Sequence, residues 1–246
     1  MDLQKKLEEI EIKKSLLQAS KNKLDKSFYE DFRLRFTYNS NAIEGNTLSL
    51  QETKVVLEGI TIGGKTLREH FEVINHQEAI FFIEELVRKK VAISEQIIRE
   101  IHYLVLKNIN DKEAGKYRSC NVLISGAQHI PPESYVISQE MEKLIDLYRN
   151  EWGKKNAVIR ASRLHIFLVK IHPFIDGNGR TSRLLMNLEL LKNNYPAISI
   201  KNTQRVQYYQ ALDEAHCREN YELFDNLVAD CILDEYERQM FLLNLE

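Results

Sequence analysis

Two side chains in the segment HPFIDGNGRTSR, residues 172–183, are of the types needed for proton transfer and metal binding. His172 titrates near neutrality, so its ring can accept a proton from an attacking hydroxyl. Asp176 offers hard carboxylate oxygens, which Mg²⁺ or Mn²⁺ would accept together with phosphate oxygens. A base close to a metal ligand indicates phosphoryl or nucleotidyl transfer.

An anion site is predicted directly after these residues. The run Gly177-Asn178-Gly179 favours conformations in which successive backbone N–H groups point into one concavity, at the start of a predicted helix. A helix N-terminus attracts anions, because unsatisfied donors and the helix dipole act together. Arg180 and Arg183 share a face of that helix, so two guanidiniums can bind several phosphate oxygens. The segment therefore predicts a polyphosphate site.

The whole segment resembles the signature of Fic (filamentation induced by cAMP) proteins, H-P-F-x-[D/E]-G-N-G-R-x-x-R, without a departure. The resemblance implies a helical fold around the motif and transfer of AMP from ATP to Ser, Thr or Tyr hydroxyls. By this likeness His172 is the general base, and Asp176 holds Mg²⁺ between the α- and β-phosphates. Residues 177–179 would cradle phosphate, and Arg180 and Arg183 would bind the β and γ groups.

The segment between Gly115 and Val136 lacks the helical pattern of its surroundings. β-Branched residues flank Ser125-Gly126 and a Pro-Pro pair follows, which predicts a short hairpin. This segment resembles the flap of Fic proteins, whose edge strand aligns the target protein. The residues expected to contact the target are Val122, Leu123 and Ile124.

The likeness to Fic proteins extends over roughly residues 36–233. Residues 207–212, QYYQAL, resemble a stretch that helps to enclose the nucleotide base, which implies contacts from Tyr208 and Tyr209.

The segment SNAIEG, residues 40–45, resembles the inhibitory motif [S/T]-x-x-x-E-[G/N] of one Fic subclass. Ser40 and Glu44 are four residues apart, hence on one helix face, and Gly45 can end that helix in a left-handed conformation. The likeness implies that the Glu44 carboxylate pairs with Arg183 in the place of the γ-phosphate. ATP would then bind with its α-phosphate misaligned for attack.

These residues are expected to lie on a helical scaffold, because apolar residues recur at three and four positions through most of the chain. We expect an all-α fold, a Fic-type helical bundle with one small β-hairpin flap. The predicted division is an N-terminal helical arm, residues 1–35, and a Fic domain, residues 36–246, with the inhibitory helix at 36–45. Predicted helices include 27–43, 49–58, 66–87, 94–107, 138–151, 157–171 and 178–192.

The first helix is amphipathic, since Leu3, Ile10, Leu17 and Leu24 are seven residues apart. The spacing favours a helix docked on its own domain, and a homodimer contact through this face is the alternative.

Net charge and cysteine content indicate which partners and which cellular compartment to expect. A formal net charge of −2 gives no general attraction to nucleic acid or anionic membrane, so neither is expected as a partner. Three isolated cysteines suggest neither a disulfide framework nor a zinc site, and no long apolar stretch stands at the N-terminus. We expect a cytoplasmic protein.

Two other motifs could indicate different chemistry. Residues 59–66 match the P-loop pattern G-x-x-x-x-G-K-[ST], but a capped helix precedes them where a P-loop requires a β-strand. His165 and His172 are seven residues apart, without the carboxylate pattern of a metallohydrolase. A helix connection and a histidine packed behind the active loop are the better interpretations.

The sequence predicts a protein adenylyltransferase that uses ATP and a protein with an exposed Ser, Thr or Tyr, including itself, and that Glu44 inhibits. Two alternatives share the site. One is hydrolytic removal of AMP, with Glu44 positioning water, and the other is a regulatory module that senses ATP without transfer.

Overall fold

The computed structural model describes residues 2–18 and 24–245. Within this part of the chain all regular structure is helical, which confirms the predicted fold class. None of the described helices has the length and apolarity needed to span a membrane. The α-helices are α1 (Leu3–Gln18), α2 (Lys26–Ile43), α3 (Leu50–Leu57), α4 (Leu67–Arg88), α5 (Glu95–Leu106), α6 (Ile137–Asp146), α7 (Ala157–Ile171), α8 (Asn178–Lys192), α9 (Arg205–Arg218) and α10 (Glu222–Leu243).

Local capping signals set several of these helix ends. Ser49 and Thr66 each accept a hydrogen bond from the backbone N–H three residues later, and a glutamate at that position completes a capping box. Gly45 and Gly59 follow α2 and α3 with φ of +98° and +88°, a conformation that costs glycine little. The loops at residues 44–49 and 58–66 are thereby fixed at both ends.

Helices α7 and α8 form the centre of the molecule. One apolar cluster joins them to α1, α9 and α10, and a second joins them to α2, α4, α5 and α6. Both helices are packed from two sides. The loop that connects them, residues 172–177, is therefore held in place at both ends by the two apolar clusters.

Helix α1 packs beside α10 in the first of these clusters. Ile10 is completely buried and Leu17 nearly so. Two ion pairs, Lys6–Asp230 and Lys13–Glu237, each 2.6 Å long, link the helices. Residue numbers increase together along both helices, so α1 and α10 run parallel. Residue 35, the predicted end of an N-terminal arm, lies inside α2.

The predicted β-hairpin flap is absent from the described chain. Residues 115–133 contain turns, bends and irregular backbone but no strand pairing. An isolated two-stranded hairpin is marginal unless an apolar face packs, and Leu123 is 79% exposed. Strand propensity in this segment therefore does not suffice to form the hairpin without a partner.

Replacing Ile10 by alanine should lower the free energy of unfolding by about 2–5 kcal/mol, because it leaves a cavity between α1 and α10. The matched control is Ile12→Ala on the same helix, where the side chain is 61% exposed; its effect should stay within about 0.5 kcal/mol. Urea unfolding followed by circular dichroism measures both. Equal effects of the two substitutions would contradict the docking of α1.

Candidate active site

His172 ends α7 in a left-handed conformation, φ 49° and ψ 58°. Arg118 holds this turn: its Nε donates to the His172 carbonyl over 2.8 Å, and its backbone N–H donates to the Pro173 carbonyl over 2.9 Å. Arg118 is 2% exposed. Burial, followed by the positive charge of Arg118, lowers the pKa of His172 to about 4, so the ring is neutral and able to accept a proton near pH 7.

The side chain of Asn178 closes the loop that follows His172. Its Oδ1 accepts the backbone N–H of Phe174 over 3.0 Å, and its Nδ2 donates to the Phe174 carbonyl over 2.8 Å. Phe174 itself is completely buried. Asn178 was predicted to cradle phosphate, and the structure commits its side chain to the loop, which leaves its backbone N–H for that purpose.

His102 of α5 connects three parts of the site. Its Nδ1 accepts the N–H of Gly115 over 2.9 Å, so Nε2 carries the proton and donates to the Asp176 carbonyl over 3.0 Å. Its ring stacks on Phe174 with 3.6 Å between centroids. Burial lowers the pKa of His102 to about 4, so the ring stays neutral and keeps this tautomer. Sequence reasoning missed His102, because no local pattern marks its partners.

Two glycines are required where the loop enters α8. Gly177 has φ +76°, and a Cβ there would lie 3.1 Å from Val105 Cγ1. A Cβ on Gly179 would lie 2.2 Å from Glu44 Oε1, so a side chain at this position would collide with that carboxylate. The N-terminus of α8 thus presents bare backbone to whatever group occupies the site.

Arg180 is 2% exposed, and its Nε and Nη1 have no hydrogen-bond partner among the described residues. Nη1 lies 3.3 Å from Glu72 Oε1 and Nη2 lies 3.3 Å from Asp176 Oδ1. Nη1 thus faces the Glu72 carboxylate without an aligned hydrogen bond, and Nε has no partner among the described residues. Buried guanidinium donors are normally satisfied, so Arg180 retains donors for an additional anion. A phosphate group at the start of α8 supplies such oxygens.

Asp176 lies beside this cradle. Burial raises its pKa, but Arg180, the N–H of Gly177 at 2.6 Å and Arg68 outweigh burial, so the pKa falls below its ordinary value. The described residues contain no cluster of three or more His, Cys, Asp or Glu side chains suited to a metal. Mg²⁺ is commonly held by one or two carboxylates with phosphate and water, which a single ionised aspartate beside a phosphate site fits.

Arg183 is 1% exposed, and all three of its side-chain nitrogens donate hydrogen bonds. Its Nη2 donates to Glu44 Oε1 over 2.7 Å and to the Ser40 carbonyl over 2.8 Å. Its Nε donates to Ser40 Oγ over 3.0 Å, and its Nη1 donates to Tyr208 Oη over 3.2 Å. The Glu44 carboxylate therefore lies between Arg183 and Gly179, over the predicted phosphate cradle.

The two predicted base-contacting tyrosines have different surroundings. Tyr208 is 1% exposed and lies between Arg183 and His165, whose Nε2 is 3.1 Å from the hydroxyl. Tyr209 is 39% exposed, and its hydroxyl donates to the Ile43 carbonyl at the end of α2 over 3.2 Å. Of the two, Tyr209 presents ring surface to solvent.

The predicted target-contacting residues lie in irregular backbone shortly before Gly126. Within the described chain, none of their N–H groups donates a backbone–backbone hydrogen bond. Leu123 projects into solvent, and Val122 and Ile124 are half-buried.

The P-loop-like residues form a connection between α3 and α4. Lys65 Nζ donates to the Thr47 carbonyl over 2.7 Å, and Thr66 caps α4. No strand precedes this loop in the described chain, as the sequence analysis expected.

Comparison with known proteins identifies the family. Residues 92–190 match the model of the Fic/DOC family. The solved structure of a Fic-1 fragment from C. elegans is 30% identical, with a TM-score of 0.87, and the match covers 98% of this chain and 73% of that chain. This chain belongs to the Fic/DOC family. A Fic-domain signaling protein from Bacteroides thetaiotaomicron is 27% identical, with a TM-score of 0.85 and 94% of each chain covered.

Curated Fic relatives match as well. "Protein adenylyltransferase Fic" of Nematostella vectensis is 38% identical over 187 residues, which is 73% of this chain and 42% of the relative. "Protein adenylyltransferase fic-1" of Caenorhabditis briggsae is 39% identical over 184 residues, 74% of this chain and 36% of the relative. The chain therefore spans about two fifths of the length of these relatives.

The ring of His172 should remain neutral at pH 6 and become protonated only as the pH falls through about 4. Since the neutral ring is the predicted base, its availability is lost below that pKa rather than near the ordinary histidine value of about 6.5. Histidine-selective NMR on the resting protein, with the signal assigned by His172→Ala, follows this titration. A midpoint near 6.5 would contradict the burial argument.

Proposed function

We propose that this Fic protein is a protein adenylyltransferase, which moves AMP from ATP to a Ser, Thr or Tyr hydroxyl of a protein. The observation that carries the proposal is the loop between α7 and α8. It combines a neutral His172, an ionised Asp176 and the buried, unsatisfied donors of Arg180. The names of the relatives from Nematostella vectensis and Caenorhabditis briggsae support the same reaction.

In the proposed reaction the target oxygen attacks the α-phosphorus, and the bond from that phosphorus to the β-phosphate bridging oxygen breaks. Pyrophosphate leaves, and His172 takes the hydroxyl proton. Arg180, Arg183 and the N-terminus of α8 would hold the phosphate chain. Asp176 would hold Mg²⁺ or Mn²⁺, which supplies positive charge to the phosphates when it is bound.

We infer that Glu44 inhibits this reaction. Its carboxylate already takes the Arg183 donor and the space above Gly179, which the terminal phosphate would need. The Glu44 side chain is 31% exposed, whereas that of Arg183 is 1% exposed. The Glu44 side chain can therefore move into solvent. Arg183 stays buried, so another anion must then replace the Glu44 carboxylate as its partner.

The segment with Val122, Leu123 and Ile124 is proposed to bind the target. Its N–H groups lack backbone partners within the described chain, as on the edge strand of a sheet. An extended piece of the target would pair with it and complete the β-hairpin that the isolated segment does not form. Main-chain pairing accepts many sequences, and this chain itself is among the targets we propose.

Glu44→Gly should raise the transfer of label from α-phosphate-labelled ATP to protein by about tenfold or more. A tenfold increase requires the loss of Glu44 to lower the activation free energy by only about 1.4 kcal/mol. Adding His172→Ala should lower it by about 100-fold or more, the contribution of a general base. Glu58→Gly is the matched control: Glu58 also ends a helix before a left-handed glycine, but its carboxylate lies 3.9 Å from Lys54 of its own helix. It should leave transfer unchanged.

Three other outcomes are decisive. Equal labelling by wild type and Glu44→Gly would refute inhibition by Glu44. Bound but intact ATP in Glu44→Gly, without labelled protein, would favour the sensing module. Release of AMP from pre-labelled protein by wild type but not by Glu44→Gly would favour the hydrolytic reaction.

A further inference from the structure

Arg68, in the first turn of α4, reaches across the site to the loop that follows α7. Its Nη2 donates to Asp176 Oδ2 over 2.5 Å, and its Nε donates to Glu72 Oε1 over 3.1 Å. The other oxygen of Asp176 accepts the N–H of Gly177 over 2.6 Å and faces Arg180 Nη2 at 3.3 Å. Both carboxylate oxygens are thus already neutralised within the chain.

We propose that Arg68 is a displaceable counter-ion of Asp176 and sets the concentration at which a divalent cation binds there. The proposal rests on the proposed function, in which Asp176 is the metal ligand. A cation needs a carboxylate oxygen with a free lone pair directed at it. The Arg68 guanidinium lies 2.5 Å from Oδ2, and its positive charge repels a cation that approaches the same oxygen, so cation binding requires Arg68 to move away.

The surroundings of the two arginines decide which of them moves. The Arg68 side chain is 56% exposed, whereas that of Arg180 is 2% exposed. After leaving Asp176, Arg68 keeps its second partner Glu72, four residues along the same helix, so its charge remains paired. Arg180 would also keep Glu72 as a partner, but its charge would stay buried without the second carboxylate. Displacement of Arg68 therefore costs less than displacement of Arg180.

The expected consequence is a competition between one guanidinium and one divalent cation for the same oxygen. Removing Arg68 would raise the affinity of Asp176 for the cation and leave the catalytic ring of His172 untouched. The sequence alone gave no sign of this pair, because Arg68 and Asp176 are 108 residues apart.

The test is a titration of the nucleotide-free protein with Mn²⁺, in which electron paramagnetic resonance reports the free cation. Arg68→Gln should bind Mn²⁺ about threefold to fivefold more tightly than wild type, the range expected for loss of a half-exposed ion pair. Lys65→Gln is the matched control, since it removes the same charge three residues away but its Nζ bonds to Thr47. The control should bind as wild type does. Asp176→Asn added to Arg68→Gln should abolish the gain.

Equal affinities of wild type and Arg68→Gln would overturn the proposal. So would an equal gain in Lys65→Gln, which would mean that net charge alone sets the affinity. The titration involves no transfer step, whereas transfer by Glu44→Gly at saturating Mn²⁺ tests the proposed function separately. The two failures are therefore distinguishable.

Discussion

The buried charge of Arg183 is the constraint on which the arrangement of the site depends. A guanidinium that is 1% exposed must be neutralised within the protein or by a ligand, since an unpaired buried charge is strongly destabilising. In the resting chain Glu44 supplies the charge, and Ser40 and Tyr208 accept the remaining donors. In the proposed function, a terminal phosphate that enters the site would therefore have to replace Glu44 as the partner of Arg183.

The same logic extends to the other charged groups around the loop. Arg180 and Asp176 neutralise each other imperfectly at 3.3 Å, and Glu72 and Arg68 complete the balance from α4. The site therefore contains a set of internal ion pairs at the positions proposed for a nucleotide and a cation. Neutral, hydrogen-bonded groups such as His102 and Asn178 hold the loop itself, so changes in pairing need not alter its shape.

Local patterns accounted for much of this description. Capping residues and apolar periodicity located the helices, and the four-residue spacing of Ser40 and Glu44 predicted that both face one side of α2. The partners of Arg68, His102 and Arg118 were not predictable, because each pair joins residues far apart in sequence. Their identity depends on how α4 and α5 pack against α8, which no short motif encodes.

The error at the flap and the unforeseen hydrogen bonds of the Asn178 side chain have different physical causes. β-Branched residues indicated a hairpin, but two strands without a packed face are marginal, so propensity alone did not decide the structure. Asn178 belongs to the signature as a whole, yet its side chain could satisfy either a ligand or the backbone of Phe174. The turn of the loop places the Phe174 N–H 3.0 Å from Asn178 Oδ1, so the Asn178 side chain is hydrogen-bonded to that backbone.

We propose that Glu44 and the terminal phosphate of the nucleotide replace each other at Arg183. Crystal structures of wild type and Glu44→Gly with Mg²⁺ and an ATP analogue that carries a methylene between the α- and β-phosphates would show which anion Arg183 binds. We expect the γ-phosphate to contact Arg183 in Glu44→Gly, whereas in wild type Glu44 keeps its contact with Arg183 and the phosphate chain is displaced. The same phosphate position in both structures, with the Glu44–Arg183 pair intact in wild type, would contradict it.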